Sequence, residues 1–467
     1  MKNFFIGCIV VAICRLLAAY MIPTFDDAFI TFRYGYNFLH GHGLVYNEGE
    51  KIMGTTAPLF AIISSVPLMF SISVPKFFVF FNLFCDIGSL YIVFRFFFNR
   101  NYQMYFLLVA LFAFDPLMQR IAVGGMEANL FLFCSLSGIV LYLNGKKTWA
   151  FILLTIIYFL RPEALILLAV LLCYDWYNTK KIPFAYGFLC ALVLAIPLGL
   201  IYLYYGQFLP QSVVAKSTVG RSSFFYLAKS IFFMNTFSFF VFPLMLFGVL
   251  RNINRNKYFL IAGVWAGCYA LAYFLRGPFI WTWYIYSIEF VSLIFVSVAL
   301  TEIFIWMGIE KLGQPFRYYL LPFGILLIWV AGFFHFGRSG VEKNVYAELK
   351  KDFSDPVSRK DSVFFADDIG ALGYYTKGYV YDDLMLVTPQ AADYKSAYQR
   401  IIHIQPHYLF LYTDSIYVNM IRKDSLLSKQ YTFVKRYSAG GEKEIPADFA
   451  KMGKIVYRQD YVLFKRN

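Results

Sequence analysis

The sequence has 467 residues, of which 60% are hydrophobic, 21% aromatic and 15% charged, with a net charge of +14 and a mean hydropathy of +0.58. That balance over this length excludes a soluble globular chain and points to a polytopic membrane protein. The positive charge does not argue for nucleic acid, because Lys and Arg collect in cytoplasmic loops of membrane proteins and set their orientation.

Twelve apolar runs follow in chain order: 4–22, 57–72, 77–94, 103–114, 128–143, 148–160, 162–174, 184–204, 229–250, 258–275, 283–308 and 318–336. Arg15 interrupts the first, and no small-residue cleavage site precedes Asp26, so this run reads as an uncleaved anchor. The second run decides the topology. If 57–72 spans the bilayer, the basic stretches Arg95 to Arg100 and Lys146/Lys147 fall on opposite sides. If it lies on the outer surface instead, about eleven spans remain and the short basic connections all face the cytoplasm. The second arrangement is expected, with a first outer loop over residues 23–76 that carries juxtamembrane helices.

The runs 148–160 and 162–174 are too short to cross about 30 Å of hydrocarbon upright. Arg161-Pro162-Glu163 is therefore expected at the tip of a hairpin sunk in the bilayer, where polar groups are tolerated only against a wet cavity. After residue 337 the texture changes to charged residues and short β-branched or aromatic runs such as VFFAD, YVYDD and YLFLY. The chain thus divides into a membrane domain, 1–337, and a C-terminal extracytoplasmic α/β domain, 338–467. The seven cysteines all sit in apolar runs and offer neither a disulfide framework nor metal-ligand spacing.

On this topology the outer face collects Asp26 to Lys51, residues 115–129, Arg161-Pro162-Glu163, residues 204–217 and residues 276–284. Charges at a membrane boundary are costly and mark function. Asp26 and Asp27 supply a carboxylate pair; their mutual repulsion raises one pKa towards a useful range for a general base. The same pair also suits a hard cation, so a divalent metal stays open without further support, and no cofactor is expected. Arg33, Arg161, Lys216 and Arg276 are the candidate cations for a phosphate, with head-group contacts or snorkelling as their plain alternative. Glu127 sits where a helix begins and has a dipole-stabilising role as its simplest reading. Trp281, Trp283 and Tyr284 read as interfacial anchors. His40 and His42 read as loop residues, and the pairs Asp367-Asp368 and Asp382-Asp383 as turn residues or weak carbohydrate contacts.

The stretch DDAFITFRYGYNFLHGHGLVYNEGE followed by GTTAPL resembles the first outer loop of GT-C superfamily glycosyltransferases, nearest to the terminal arabinofuranosyltransferases of mycobacterial cell walls and their bacterial relatives. GGMEANLF, RPEALI, LPQSVVAKS and DDIGALGYYTKGYVYDDLMLVTP follow in the family's order, so the resemblance covers nearly the whole chain. It implies a GT-C membrane fold and an inverting transfer, outside the bacterial cytoplasmic membrane, from a polyprenyl-phosphate sugar to a cell-envelope glycan or glycolipid. It further implies Asp26 as catalytic base with Asp27 beside it, and Arg161, Glu163 and Lys216 lining the donor or acceptor cavity. Tyr36, Thr56, Gln211 and Glu127 complete the expected substrate-binding set. Where the family often has Pro-Asn-Thr this chain has Pro210-Gln211-Ser212, and where it often has Tyr and Trp this chain has Thr55 and Phe60, so arabinose itself does not follow. A polytopic transporter or flippase for a lipid-linked or anionic precursor is the competing class. It would show internal repeats and mid-membrane ionisable groups. A structural protein that binds polymer through its outer domain is a third.

Overall fold

A computed structural model describes residues 2–217, 238–276, 281–308, 345–353, 362–394, 396–438 and 460–467. The chain forms two compact units: Met1–Met21, Pro75–Gly199 and Gly220–Arg338 in the first, and Ile22–Val74, Leu200–Val219 and Ser339–Asn467 in the second.

The first unit is helical. It contains α1 (Lys2–Met21), α4 (Val74–Ile92), α5 (Tyr102–Phe114), α6 (Pro116–Val123), α7 (Ala128–Leu143), α8 (Lys147–Ile156), α9 (Ala164–Thr179), most of α10 (Phe184–Tyr205), α12 (Ser238–Asn252), α13 (Lys257–Arg276) and α14 (Tyr286–Trp306). Every residue of α14 from Tyr286 to Ala299 is buried, and α5, α7, α12 and α13 pack around it. Among the described residues five helices are long and apolar enough to cross a membrane: α1, α4 with its continuation to Phe97, α10, α13 and α14. A sixth exists if α5 and α6, bent by 70° at Asp115-Pro116, form one broken span.

Helix length and composition by themselves account for five or six of the expected spans among the described residues. The apolar runs 57–72, 128–143, 148–160 and 162–174 fold as helices of 10–17 residues, the run 229–250 is described only from residue 238, and the run 318–336 lies outside the described residues. At Arg161-Pro162-Glu163 a 3₁₀ turn ends α8 and a tight turn starts α9. Lys147, the first residue of α8, meets Asp175 near the end of α9 at 2.5 Å, so the two helices run back along each other as a hairpin. Tyr142 of α7 donates to the same carboxylate at 2.7 Å and ties a third helix to it.

The second unit joins the first outer loop to the C-terminal sheet. It holds α2 (Asp26–Leu39), α3 (Pro58–Met69), α11 (Gln211–Ser217), α15 (Val345–Asp352), β1 (Val363–Ala366), α16 (Gly370–Thr376), β2 (Tyr379–Asp382), α17 (Ala397–Ile404), β3 (Tyr408–Tyr412), α18 (Ile416–Lys423), α19 (Leu427–Gln430), β4 (Tyr431–Tyr437) and β5 (Tyr461–Arg466). At twelve residues α3 is about 18 Å long at 1.5 Å per residue, short of a bilayer, as its reading as a juxtamembrane helix requires. The sheet order is β2-β1-β3-β5-β4, with β1 parallel to β2 and β3, and β5 antiparallel to β3 and β4. Phe365, Leu409, Leu411, Val462 and Phe464 from its strands pack with Tyr417 and Ile421 of α18 in one core.

The open edge of β2 is covered from the first outer loop. Asn47 donates to the Val380 carbonyl at 3.0 Å and accepts from its N–H at 3.1 Å, as a neighbouring strand would.

Candidate functional site

The acidic arrangement in the second unit begins at the first residue of α2. Asp26 is buried, and its carboxylate accepts from the N–H of Gly370 at 2.7 Å and of Ala371 at 2.8 Å, the start of α16. Only glycine fits at 370: a Cβ there would lie 1.8 Å from the Asp26 carbonyl oxygen. Burial pushes the Asp26 carboxyl well above the usual carboxylate range, and the charges of Asp368 and Asp27 push the same way, against the two N–H donors. Asp27 is half-buried at the same helix start.

Asp368 closes this acidic group. It accepts from the Tyr461 hydroxyl at 2.6 Å, and burial raises its pKa to about 6, with help from the charges of Asp27 and Asp367. Asp367 accepts from the N–H of Tyr412 at 2.9 Å and is likewise pushed up to about 6 by burial. Asp368 thus stands near the carboxylates of α2, which the reading of its pair as turn residues or weak carbohydrate contacts did not foresee. Asp382, by contrast, is a turn residue: it accepts from the N–H groups of Leu384, Leu386 and Val387. Among the described residues no group of three His, Cys, Asp or Glu side chains is disposed to hold a metal ion.

Further along α2, Arg33 is buried. It donates to the Gly378 carbonyl at 2.7 Å and to Asn47 Oδ1 at 3.4 Å, and stacks on the Tyr46 ring at 4.2 Å. Tyr36, one turn on, lies between the His40 ring at 4.0 Å and the Lys377 ammonium at 3.5 Å. Thr56 is exposed, just ahead of α3. Gln211 opens α11 and donates its backbone N–H to Met53 at 2.7 Å, which attaches this segment to the first outer loop. Lys216 lies in α11, with its side chain outside the described residues.

The first unit carries a separate constellation. Arg161 is buried at the hairpin tip and donates to Glu127 Oε1 and to Glu163 Oε1, both at 3.0 Å, and to the Trp283 carbonyl at 3.4 Å. Tyr273 donates to Glu163, and the ring of Tyr284 lies 5.0 Å from the guanidinium. Glu127 and the Arg161-Pro162-Glu163 turn, taken separately from the sequence, thus form one cluster in which one cation answers two carboxylates. Arg276 ends α13 and is exposed.

Comparison with known proteins now bears on both units. A family profile described as a domain of unknown function (DUF8728) matches residues 346–464. No curated protein matches the sequence. Among solved structures the chain is similar to ArnT from Cupriavidus metallidurans bound to undecaprenyl phosphate. That similarity has a TM-score of 0.60 at 12% identity and covers 98% of this chain and 97% of that one. The apo form of the same protein gives a TM-score of 0.62 at 11% identity, with the same coverage. At such low identity the likeness speaks to fold, and it does so along almost the entire chain. ArnT is a GT-C glycosyltransferase. The likeness, together with the apolar helices, gives the chain the fold of ArnT, a polytopic helical membrane core with a C-terminal sheet.

Proposed function

We propose that this protein is a membrane glycosyltransferase that takes a sugar from a polyprenyl-phosphate carrier and transfers it, with inversion, to a cell-envelope glycan or glycolipid outside the cytoplasmic membrane. The observation that carries this reading is the near full-length likeness to ArnT, a protein whose structure holds undecaprenyl phosphate, in a chain with two carboxylates at the start of its first juxtamembrane helix. The basic connections Arg95/Arg100, Lys146/Lys147 and Lys180/Lys181 support an outward-facing loop at Asp26, because they belong on the cytoplasmic side.

Asp27 serves as the general base in this proposal, and Asp26 as the residue that positions it. Asp26 has each oxygen on a backbone N–H and so fixes the start of the helix on which Asp27 is the next residue. Proton removal from an acceptor hydroxyl by a placed carboxylate is typically worth about 10² to 10⁴ in rate. Arg33, buried in the same unit as both acids, supplies positive charge towards the leaving phosphate. Arg161 instead organises Glu127 and Glu163, with which it carries one net negative charge, and those carboxylates suit the hydroxyls of a sugar.

Purified protein assayed with a polyprenyl-phosphate sugar and envelope acceptors tests the proposal. Asp27→Asn should retain the wild-type melting temperature and lose about 10² to 10⁴ of its turnover. Asp26→Asn should lose turnover together with protection of the Gly370 and Ala371 amides from hydrogen exchange. Full turnover in Asp27→Asn removes the base, and absence of transfer from any lipid-linked sugar by wild type removes the function.

A further inference from the structure

The described buried bases follow a pattern with one exception. Arg15 is paired with Asp86 at 2.9 Å, and Arg161 with Glu127 and Glu163. Arg33, equally buried, has no carboxylate partner among the described residues; its polar contacts are a carbonyl and an amide oxygen, and its Nε and Nη1 have no hydrogen-bond partner. Next to the Gly378 carbonyl that it holds stands a second cation, Lys377, whose ammonium has no polar partner among the described residues. It rests between the rings of Tyr36 at 3.5 Å and Tyr374 at 3.9 Å. Lys377 remains partly exposed at the left-handed residue that ends α16 (φ 58°), while Arg33 stands behind it on α2.

Two neighbouring cations without a counter-ion are costly in a low-dielectric setting. The ring faces of Tyr46, Tyr36 and Tyr374 offset part of that cost. Burial, reinforced by the Arg33 charge, drives the Lys377 pKa well below the usual lysine range, which is how a protein relieves an unmatched cation. An anion seated on the ammonium would relieve it more fully, drawing on the field of both charges.

We infer that Lys377, backed by Arg33 and walled by Tyr36 and Tyr374, is a binding site for a phosphoryl group. Lys377 makes the direct contact from its three N–H donors. Arg33 is a positioning residue that supplies field from behind and fixes the Gly378 carbonyl. The phosphoryl group comes either on a prenyl chain or on a soluble molecule, and the aromatic walls offer a surface to an isoprene unit or to a sugar face. The inference deepens the glycosyltransferase reading and rests on it only for the ligand's origin, since binding is measurable without transfer.

The test uses the full-length protein in detergent and calorimetric titration with farnesyl phosphate, farnesol and glycerol 3-phosphate. Wild type should bind farnesyl phosphate and leave farnesol unbound. Lys377→Met should weaken the phosphate-bearing ligand by about ten- to a hundredfold, the scale of hydrogen bonds to a charged group, and Lys377→Arg should stay within several-fold of wild type. Arg33→Lys should weaken binding less than Lys377→Met. Glycerol 3-phosphate binding as tightly as farnesyl phosphate assigns the site to a soluble phosphate; tighter farnesyl phosphate assigns it to a lipid carrier. Equal affinity in wild type and Lys377→Met, equal binding of farnesol, or no binding by wild type overturns the inference. Should Lys377→Met not fold, Lys377→Gln takes its place under the same criteria. Retained phosphate binding by a wild type that transfers no sugar would sink the enzymatic reading and leave this site standing.

Discussion

Two buried arginines in the helical unit make an instructive contrast. Arg15 of α1 faces a single acid, Asp86 of α4, at 2.9 Å, and the other oxygen of that acid accepts from Asn129 of α7 at 2.7 Å and Tyr286 of α14 at 2.8 Å. Charge is balanced, and four helices are tied to one carboxylate. Arg161 faces two acids, keeps an Nε without a partner, and leaves Glu163 Oε2 without one as well. The first cluster is a rivet. The first cluster also keeps Arg15 Nη1 without a partner, so the difference lies in charge: the second has a surplus at the tip of a hairpin, which is what a site with a ligand to receive looks like.

The sharpest way to break this contrast is to unbalance the rivet. Asp86→Leu strands a buried guanidinium and should cost about 3–5 kcal/mol, seen as a large drop in melting temperature in detergent. The double variant Arg15→Leu/Asp86→Leu should recover most of that loss. Failure of the double to recover would mean that the network does more than hold helices together. A smaller stability effect, of about 1 kcal/mol, is expected for Glu163→Gln, because Arg161 keeps Glu127 and Tyr273 still finds an oxygen. Turnover in that variant should fall about tenfold or more. If Glu163→Gln instead melts far below wild type and the Asp86 variant does not, the two clusters have been assigned the wrong way round.

The weakest predicted effect comes from a third arrangement, the acids of the second unit. The pKa of Asp368 stands at about 6 in the folded protein, above its ordinary value of 3.8. A raised carboxyl binds its proton more tightly in the folded state, so its contribution to stability is complete below about pH 4 and is lost as the pH rises through 6. Thermal melts between pH 4 and 7 should therefore show a downward slope that Asp368→Asn flattens in part, with Asp26, Asp367 and Asp382 contributing in the same direction. An unchanged slope would place Asp368 in contact with water.

Much of the fold was legible before any coordinates. Apolar runs located the helices of the first unit to within a few residues, as at 128–143 and α7, and the motif order pointed to the GT-C fold that the comparison with solved structures supports. Arg161-Pro162-Glu163 was legible as a hairpin tip because proline and flanking charge cannot continue a span. What could not be read was pairing across long stretches of chain. Nothing near Asp26 announces that its acceptors' partners are the amides of Gly370 and Ala371, and nothing near Arg161 announces Glu127. Periodicity reports which face of an element is buried, not which distant residue covers it. Asp368 and Lys377 were missed for the same reason, although both stand in the DDIGALGYYTKGY stretch that carried the resemblance. The 70° bend at Asp115-Pro116 could not be read either, because hydropathy does not register a change of direction.

The tie between Asp26 and the amides of residues 370 and 371 spans 344 residues of sequence. During synthesis the first juxtamembrane helix emerges early, yet its leading carboxylate has nothing to grip until the ribosome has passed residue 371, and Asp368 waits longer still for Tyr461. A nascent chain would thus carry its acidic residues unassembled while threading into the bilayer, and acquire a working arrangement only as its final strand arrived. Such late completion would keep half-made protein chemically silent at the membrane.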